Sequence, residues 1–79
     1  MSDEADLARL RWRSRRGMLE LDVLLARFVQ REFASLNLDE RRQYEALLEL
    51  PDPELLELLY GRTEPAPELA ALIKRIRQT

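Results

Sequence analysis

Apolar residues recur along this chain at the three-and-four spacing of helices, and no stretch alternates apolar and polar over the length of a strand. The longest periodic run begins at Met18. Met18, Leu21, Leu24, Leu25, Phe28 and Val29 fall on one helical face from about Met18 to Ala34, and Leu19 and Val23 are expected to widen that face. A shorter helix precedes it, from Asp3 to about Arg13, with Leu7, Leu10 and Trp12 as its apolar side. A third covers about Leu38 to Glu49 with Tyr44, Leu47 and Leu48 inward, and a fourth runs from Pro53 to about Tyr60 with Leu55, Leu56, Leu58 and Leu59. A fifth starts at Pro67 and carries Leu69, Leu72, Ile73 and Ile76. The expected fold is all-α: one small domain over residues 1–79, built as a bundle of five short helices with the second at its centre.

The breaks between these segments have chemical reasons. Gly17 ends the first helical unit, because glycine enters the positive-φ region at little cost. Asn37 and Glu40 have the spacing of a capping box. Asp52 is expected to cap the fourth helix with Pro53 at its first position, and Gly61 to close that helix. Acids in the first turn of the first helix and bases in the last turns of the first and fifth agree with the helix dipole.

Composition narrows the chemistry. The chain has neither cysteine nor histidine, which excludes disulfides, thiolate or imidazole metal sites, and catalysis through a Cys or His. An apolar share of 46% with 35% charged residues is a globular balance, so the periodic segments have a core to bury. The formal charge is only −2, but Arg9, Arg11, Arg13, Arg15 and Arg16 crowd one segment, while acids predominate from Asp39 to Glu68. An electrostatically two-ended molecule suited to a directional partner is expected. No apolar run approaches the roughly 20 residues of a membrane span. The acidic start Ser2-Asp3-Glu4-Ala5-Asp6 argues against a signal peptide or a mitochondrial presequence, so a cytoplasmic location is expected.

The candidate chemistry lies in the stretch Arg15-Arg16-Gly17-Met18-Leu19-Glu20-Leu21-Asp22. Two readings of Arg16, Gly17 and Glu20 stand side by side. In the structural one, Gly17 is a cap, Glu20 reaches back to the Gly17 backbone, and Arg16 pairs with Glu20 for about 0.2–0.5 kcal/mol. In the functional one, the glycine bend lets a partner's backbone approach closely, beside a charged pair of fixed geometry. Trp12 is expected in the core or half-buried, with an interface anchor as the alternative. Tyr44 and Tyr60 are expected to be structural. The arginine cluster does not favour nucleic acid, since the domain is net acidic and has few aromatics for stacking. Glu20 and Asp22 stand two apart on a helix and do not converge, and Gly61 is too isolated for a phosphate loop, so no enzyme activity is expected.

The same eight residues resemble the signature of the SdhE family, which includes the mitochondrial succinate dehydrogenase assembly factors. The resemblance extends through Arg9 and Trp12, through Leu36 to Glu40 with Tyr44, Leu47, Leu48 and Glu49, through Asp52-Pro53-Glu54-Leu55, and through Pro65 to about Arg77. It implies a five-helix bundle that acts as a dedicated chaperone. Such a protein binds the flavoprotein subunit of succinate dehydrogenase, and in some bacteria that of fumarate reductase, and promotes covalent FAD attachment there. It implies a partner surface formed by Arg16, Gly17 and Glu20, with Met18, Asp22, Arg9, Trp12 and Asp52 around them. It also implies that no cofactor is bound stably, the factor acting on FAD attachment in its partner; no metal site is expected, and a monomer is expected in solution. Two positions depart from the pattern: many members carry tryptophan where this chain has Leu58, and some carry cysteine at the place of Ser14. The alternative function is a general interaction or antitoxin-like regulatory module of the same fold.

Overall fold

The computed structural model describes residues 3–79; Met1 and Ser2, which begin the acidic N-terminal segment, lie outside the described residues. Five α-helices follow one another: α1 (Asp3–Arg13), α2 (Leu19–Glu32), α3 (Leu38–Leu48), α4 (Asp52–Leu59) and α5 (Pro67–Arg77). No strand is present among the described residues. Neighbour relations close a ring in which α1 touches α2 and α3, and both of these touch α5, while α4 leans on α5. Helix α2 is therefore one wall of the bundle rather than its centre.

The core follows from the periodicity. Leu10 of α1, Leu21, Leu25, Phe28 and Val29 of α2, Tyr44, Leu47 and Leu48 of α3, Leu55 and Leu59 of α4, and Leu72, Ile73 and Ile76 of α5 are buried together. Phe28 and Tyr44 stack at 5.5 Å between ring centroids. Leu19 and Val23 are corrections to the expected pattern: they are 79% and 46% exposed. On a helix they sit about 150° round from Leu21 and Leu25, so they lie on the outer face that a wall helix leaves to solvent. The second helix also ends early. Its last turn tightens into a 3₁₀ segment, Phe33–Ser35, which turns Phe33 and Leu36 back into the core.

The caps divide between expectation and correction. Asn37 accepts from the Glu40 backbone and Glu40 returns the bond to the Asn37 N–H, at 2.8 and 2.9 Å, completing the capping box. Gly61 adopts φ +74°, with its N–H donating to Leu58 and the next N–H, of Arg62, to Glu57, which is a full Schellman closure of α4. Asp52, by contrast, is the first residue of α4 and not its side-chain cap. Its carboxylate is engaged by Arg16 instead.

One buried polar chain joins α1 to α3. The Ser14 hydroxyl donates to the Leu10 carbonyl at 2.6 Å, which leaves the Tyr44 hydroxyl to donate to Ser14 at 2.5 Å. Burial pushes the Tyr44 phenol up to about 12, against the opposing influence of Ser14 and Arg16. In the unfolded chain the phenol titrates near 10. The unfolded state therefore loses its proton first, and this contribution, complete below pH 10, is lost as pH rises through 10 to 12. Thermal unfolding followed between pH 9 and 12 is expected to show a steeper fall in Tm for the wild type than for Tyr44→Phe, which has no phenol to ionise there.

Candidate functional site

The link between α1 and α2 is short and pinned from both sides. After α1, the Ser14 and Arg15 N–H groups bond back to Leu10 and Trp12. Gly17 then takes φ +81°, and Met18 follows in an extended conformation as the N-cap of α2, its side chain half-buried against the core. The N-cap has no side-chain hydrogen bond. Asp22 supplies an acceptor from the next turn instead: its carboxylate takes the Arg16 N–H at 2.6 Å. Its negative charge near the α2 N-terminus is also favourable to the helix dipole.

The Arg16 side chain fixes the turn to the bundle. Its Nε donates to Asp52 at 2.9 Å, and its two terminal nitrogens donate to the Leu48 and Leu50 carbonyls. These carbonyls belong to the end of α3 and the bend after it, where helical acceptors lack intrahelical partners. The guanidinium thus joins three acceptors on the α3–α4 connection to the α1–α2 link, with the side chain only 14% exposed. The expected Arg16–Glu20 pair is replaced by this arrangement. A planar fork satisfies three fixed acceptors better than one mobile surface carboxylate.

Gly17 itself is open. A Cβ built there meets no heavy atom within 4 Å beyond its two chain neighbours, so no more distant part of the described residues fills the space above it. Glu20 does not cap the Gly17 backbone. Its carboxylate accepts a hydrogen bond from the Tyr60 hydroxyl at the end of α4. Arg16, Gly17, Met18, Glu20, Asp22 and Asp52 thus gather around one turn, and Tyr60 with the Leu48 and Leu50 carbonyls joins them. Sequence spacing carried no sign of these last three, since each is more than 30 positions from its partner.

Arg9 and Trp12 occupy other ground. Arg9 lies on the α1–α3 seam, bonded to Asp6 at 3.1 Å and to Glu45, which Arg13 also meets at 3.5 Å. Asp6 is held below the usual carboxylate range, first by its hydrogen bond from Arg9, with Arg41 adding to the effect against burial. Trp12 is 72% exposed on the last turn of α1, with the Arg15 guanidinium 5.9 Å from its ring centre. The expected burial fails because Leu10 already turns α1 inward, and a residue two positions on points elsewhere. The charge asymmetry is likewise reduced, since Arg9, Arg13 and Arg16 pair with Glu45 and Asp52 from the acidic half.

Two surface grooves border the α4–α5 side of the bundle. One, of about 460 Å³, runs between α4 and the start of α5 and is bordered by Leu50, Pro53, Leu58 and Leu69, with Glu54, Glu57 and Glu64 as its charged residues. That acidic rim opposes the pyrophosphate of a dinucleotide. Leu58 stands half-buried there, where a larger indole would occupy part of the space. The other, of about 560 Å³, opens beside Gly61, Lys74 and Arg77. Among the described residues, no group of acids is arranged to hold a metal ion, and no helix is long and apolar enough to cross a membrane.

Fold and site together define a small helical bundle with a hydrogen-bonded glycine turn at its surface. The chain belongs to the family described as flavinator of succinate dehydrogenase, whose pattern matches residues 8–79. It is similar to the FAD assembly factor SdhE of Coxiella burnetii, with 40% identity over 99% of this chain and 96% of the relative. It is also similar to the proteins of that name from Pseudomonas aeruginosa, at 46% over 82% of this chain and 77% of the relative, and from Ralstonia nicotianae, at 47% over 81% and 67%.

Proposed function

We propose that this chain is an assembly factor that binds the flavoprotein subunit of succinate dehydrogenase through the Gly17 turn and promotes covalent attachment of FAD to that subunit. Membership of the flavinator family supports the client and the cargo. The observation that carries the contact surface is the turn itself: Arg16 and Asp22 hold its backbone while the space over Gly17 is left free. A partner backbone packs against such a point without the factor having to rearrange.

In this reading Gly17 admits the partner, Glu20 offers an exposed carboxylate beside it, and Met18 supports the turn from below. Arg16, Asp22 and Asp52 hold the platform, and Trp12 and Arg9 are outlying contacts on α1. The factor is a chaperone and not a catalyst. It raises the population of a flavoprotein conformation in which FAD and its target side chain are aligned, which requires only a higher affinity for that state. FAD is cargo of the partner and is not held by this chain. The flavoprotein of fumarate reductase is a second client of the same surface, and the factor works as a monomer in the cytoplasm.

The test is covalent flavin on the succinate dehydrogenase flavoprotein, read as protein-bound fluorescence in a denaturing gel. Flavin is expected to be lost when the gene is deleted and restored by the wild type. With Glu20→Ala at equal abundance, it is expected to recover to less than one-fifth of the wild-type signal. Full flavinylation in the deletion strain would assign the chain to a different partner.

A further inference from the structure

We propose that Tyr60 is a positioning residue for Glu20, holding its carboxylate at the edge of the Gly17 turn and joining the end of α4 to α2 in a single recognition surface. The proposal rests on the functional reading above and adds to it a residue from a distant part of the chain. Glu20 is the second residue of α2 and is exposed. A free glutamate there would sample many rotamers, and a partner that binds it would have to freeze them. The phenol of Tyr60 donates a hydrogen bond to that carboxylate.

Tyr60 is 43% exposed, and its backbone is fixed at the end of α4. It is the C-cap of α4, directly before the Schellman closure at Gly61. The Arg62 guanidinium lies 5.1 Å from its ring centre and also meets Glu57 at 3.6 Å. Tyrosine has only two side-chain torsions to order, so a ring placed this way is a stiff support for a longer, softer side chain. The hydrogen bond to the Glu20 carboxylate also raises the phenol above its ordinary range, with desolvation adding to the effect and Arg62 opposing it. Val23, one helical turn on from Glu20, and Leu19 are also exposed on α2, which gives the hydrogen-bonded pair an apolar border.

A double-mutant cycle tests the proposal. The purified flavoprotein subunit is titrated with the wild type, Tyr60→Phe, Glu20→Ala and the double variant, and the fold of each is checked by a thermal melt. Tyr60→Phe keeps the ring and its contact with Arg62 and removes only the hydroxyl. It is expected to weaken binding about threefold to tenfold, the cost of ordering one long side chain. In the Glu20→Ala background the same change is expected to alter Kd less than twofold, because no carboxylate remains to be positioned. A merely structural role would weaken both backgrounds alike, and that result overturns the proposal. So does a Tyr60→Phe variant that binds as well as or better than the wild type while Glu20→Ala binds poorly. Wild-type binding by Glu20→Ala would remove Glu20 from the surface and this proposal with it, whereas failure of the wild type to bind would overturn the functional reading itself.

Discussion

Arg16→Ala is expected to lower the unfolding free energy by about 3 kcal/mol and Tm by about 15 °C, measured by denaturant titration and thermal melting. The size follows from what the guanidinium leaves behind. The Leu48 and Leu50 carbonyls lose a charged donor, and Asp52 loses its counter-ion. The side chain is mostly withdrawn from water, so solvent does not replace these bonds at no cost. Arg16→Lys is expected to recover only part of the loss, because one ammonium cannot meet three acceptors arranged around a planar fork. A loss below about 1 kcal/mol for Arg16→Ala would place the pinning of the turn elsewhere. The result bears on function as well. A failure of flavin attachment in an Arg16 variant reports on folding unless abundance and melting are measured beside it.

The second large effect is expected at Gly17, where stability and binding separate. Gly17→Ala meets no steric obstacle within the chain, so its stability cost is that of a side chain at positive φ, about 1–2 kcal/mol. Its effect on affinity for the flavoprotein subunit is expected to be larger, at least a hundredfold, because in the proposed complex the added carbon stands in the way of the partner's backbone. Gly17→Asn separates the two causes. Asparagine tolerates the left-handed region, so this variant is expected to melt close to the wild type and still to bind poorly. Wild-type affinity for Gly17→Asn would mean that the glycine serves backbone conformation alone.

These two residues also mark how far the sequence can be read. The helices were legible because their apolar residues repeat with the helical period, and the Asn37 box and the Gly61 closure because local hydrogen bonding sets both. The exposure of Leu19, Val23 and Trp12 was not legible. Periodicity gives the angular position of an apolar residue but not which arc of its helix the bundle covers. Asp52 was misread for another reason: it fits the pattern of an N-cap, yet a charged guanidinium arriving from 36 positions away is a stronger partner than a backbone N–H. The grouping of Arg16, Gly17 and Glu20 was visible in the motif, but their geometry was not. Arg16 turns inward and Glu20 outward, each toward a partner far off in the chain.

Under the proposed function, the inward turn of Arg16 also divides labour between the factor and its client. A loop fastened through its backbone to Asp22 and through its side chain to three further acceptors is a stiff template with little freedom left to give up. Stiffness on one side of an encounter transfers the motion to the other. On the proposed function, such a factor would dock and depart in one shape, like a gauge pressed against a workpiece, and the reshaping that brings flavin and protein together would fall to the client.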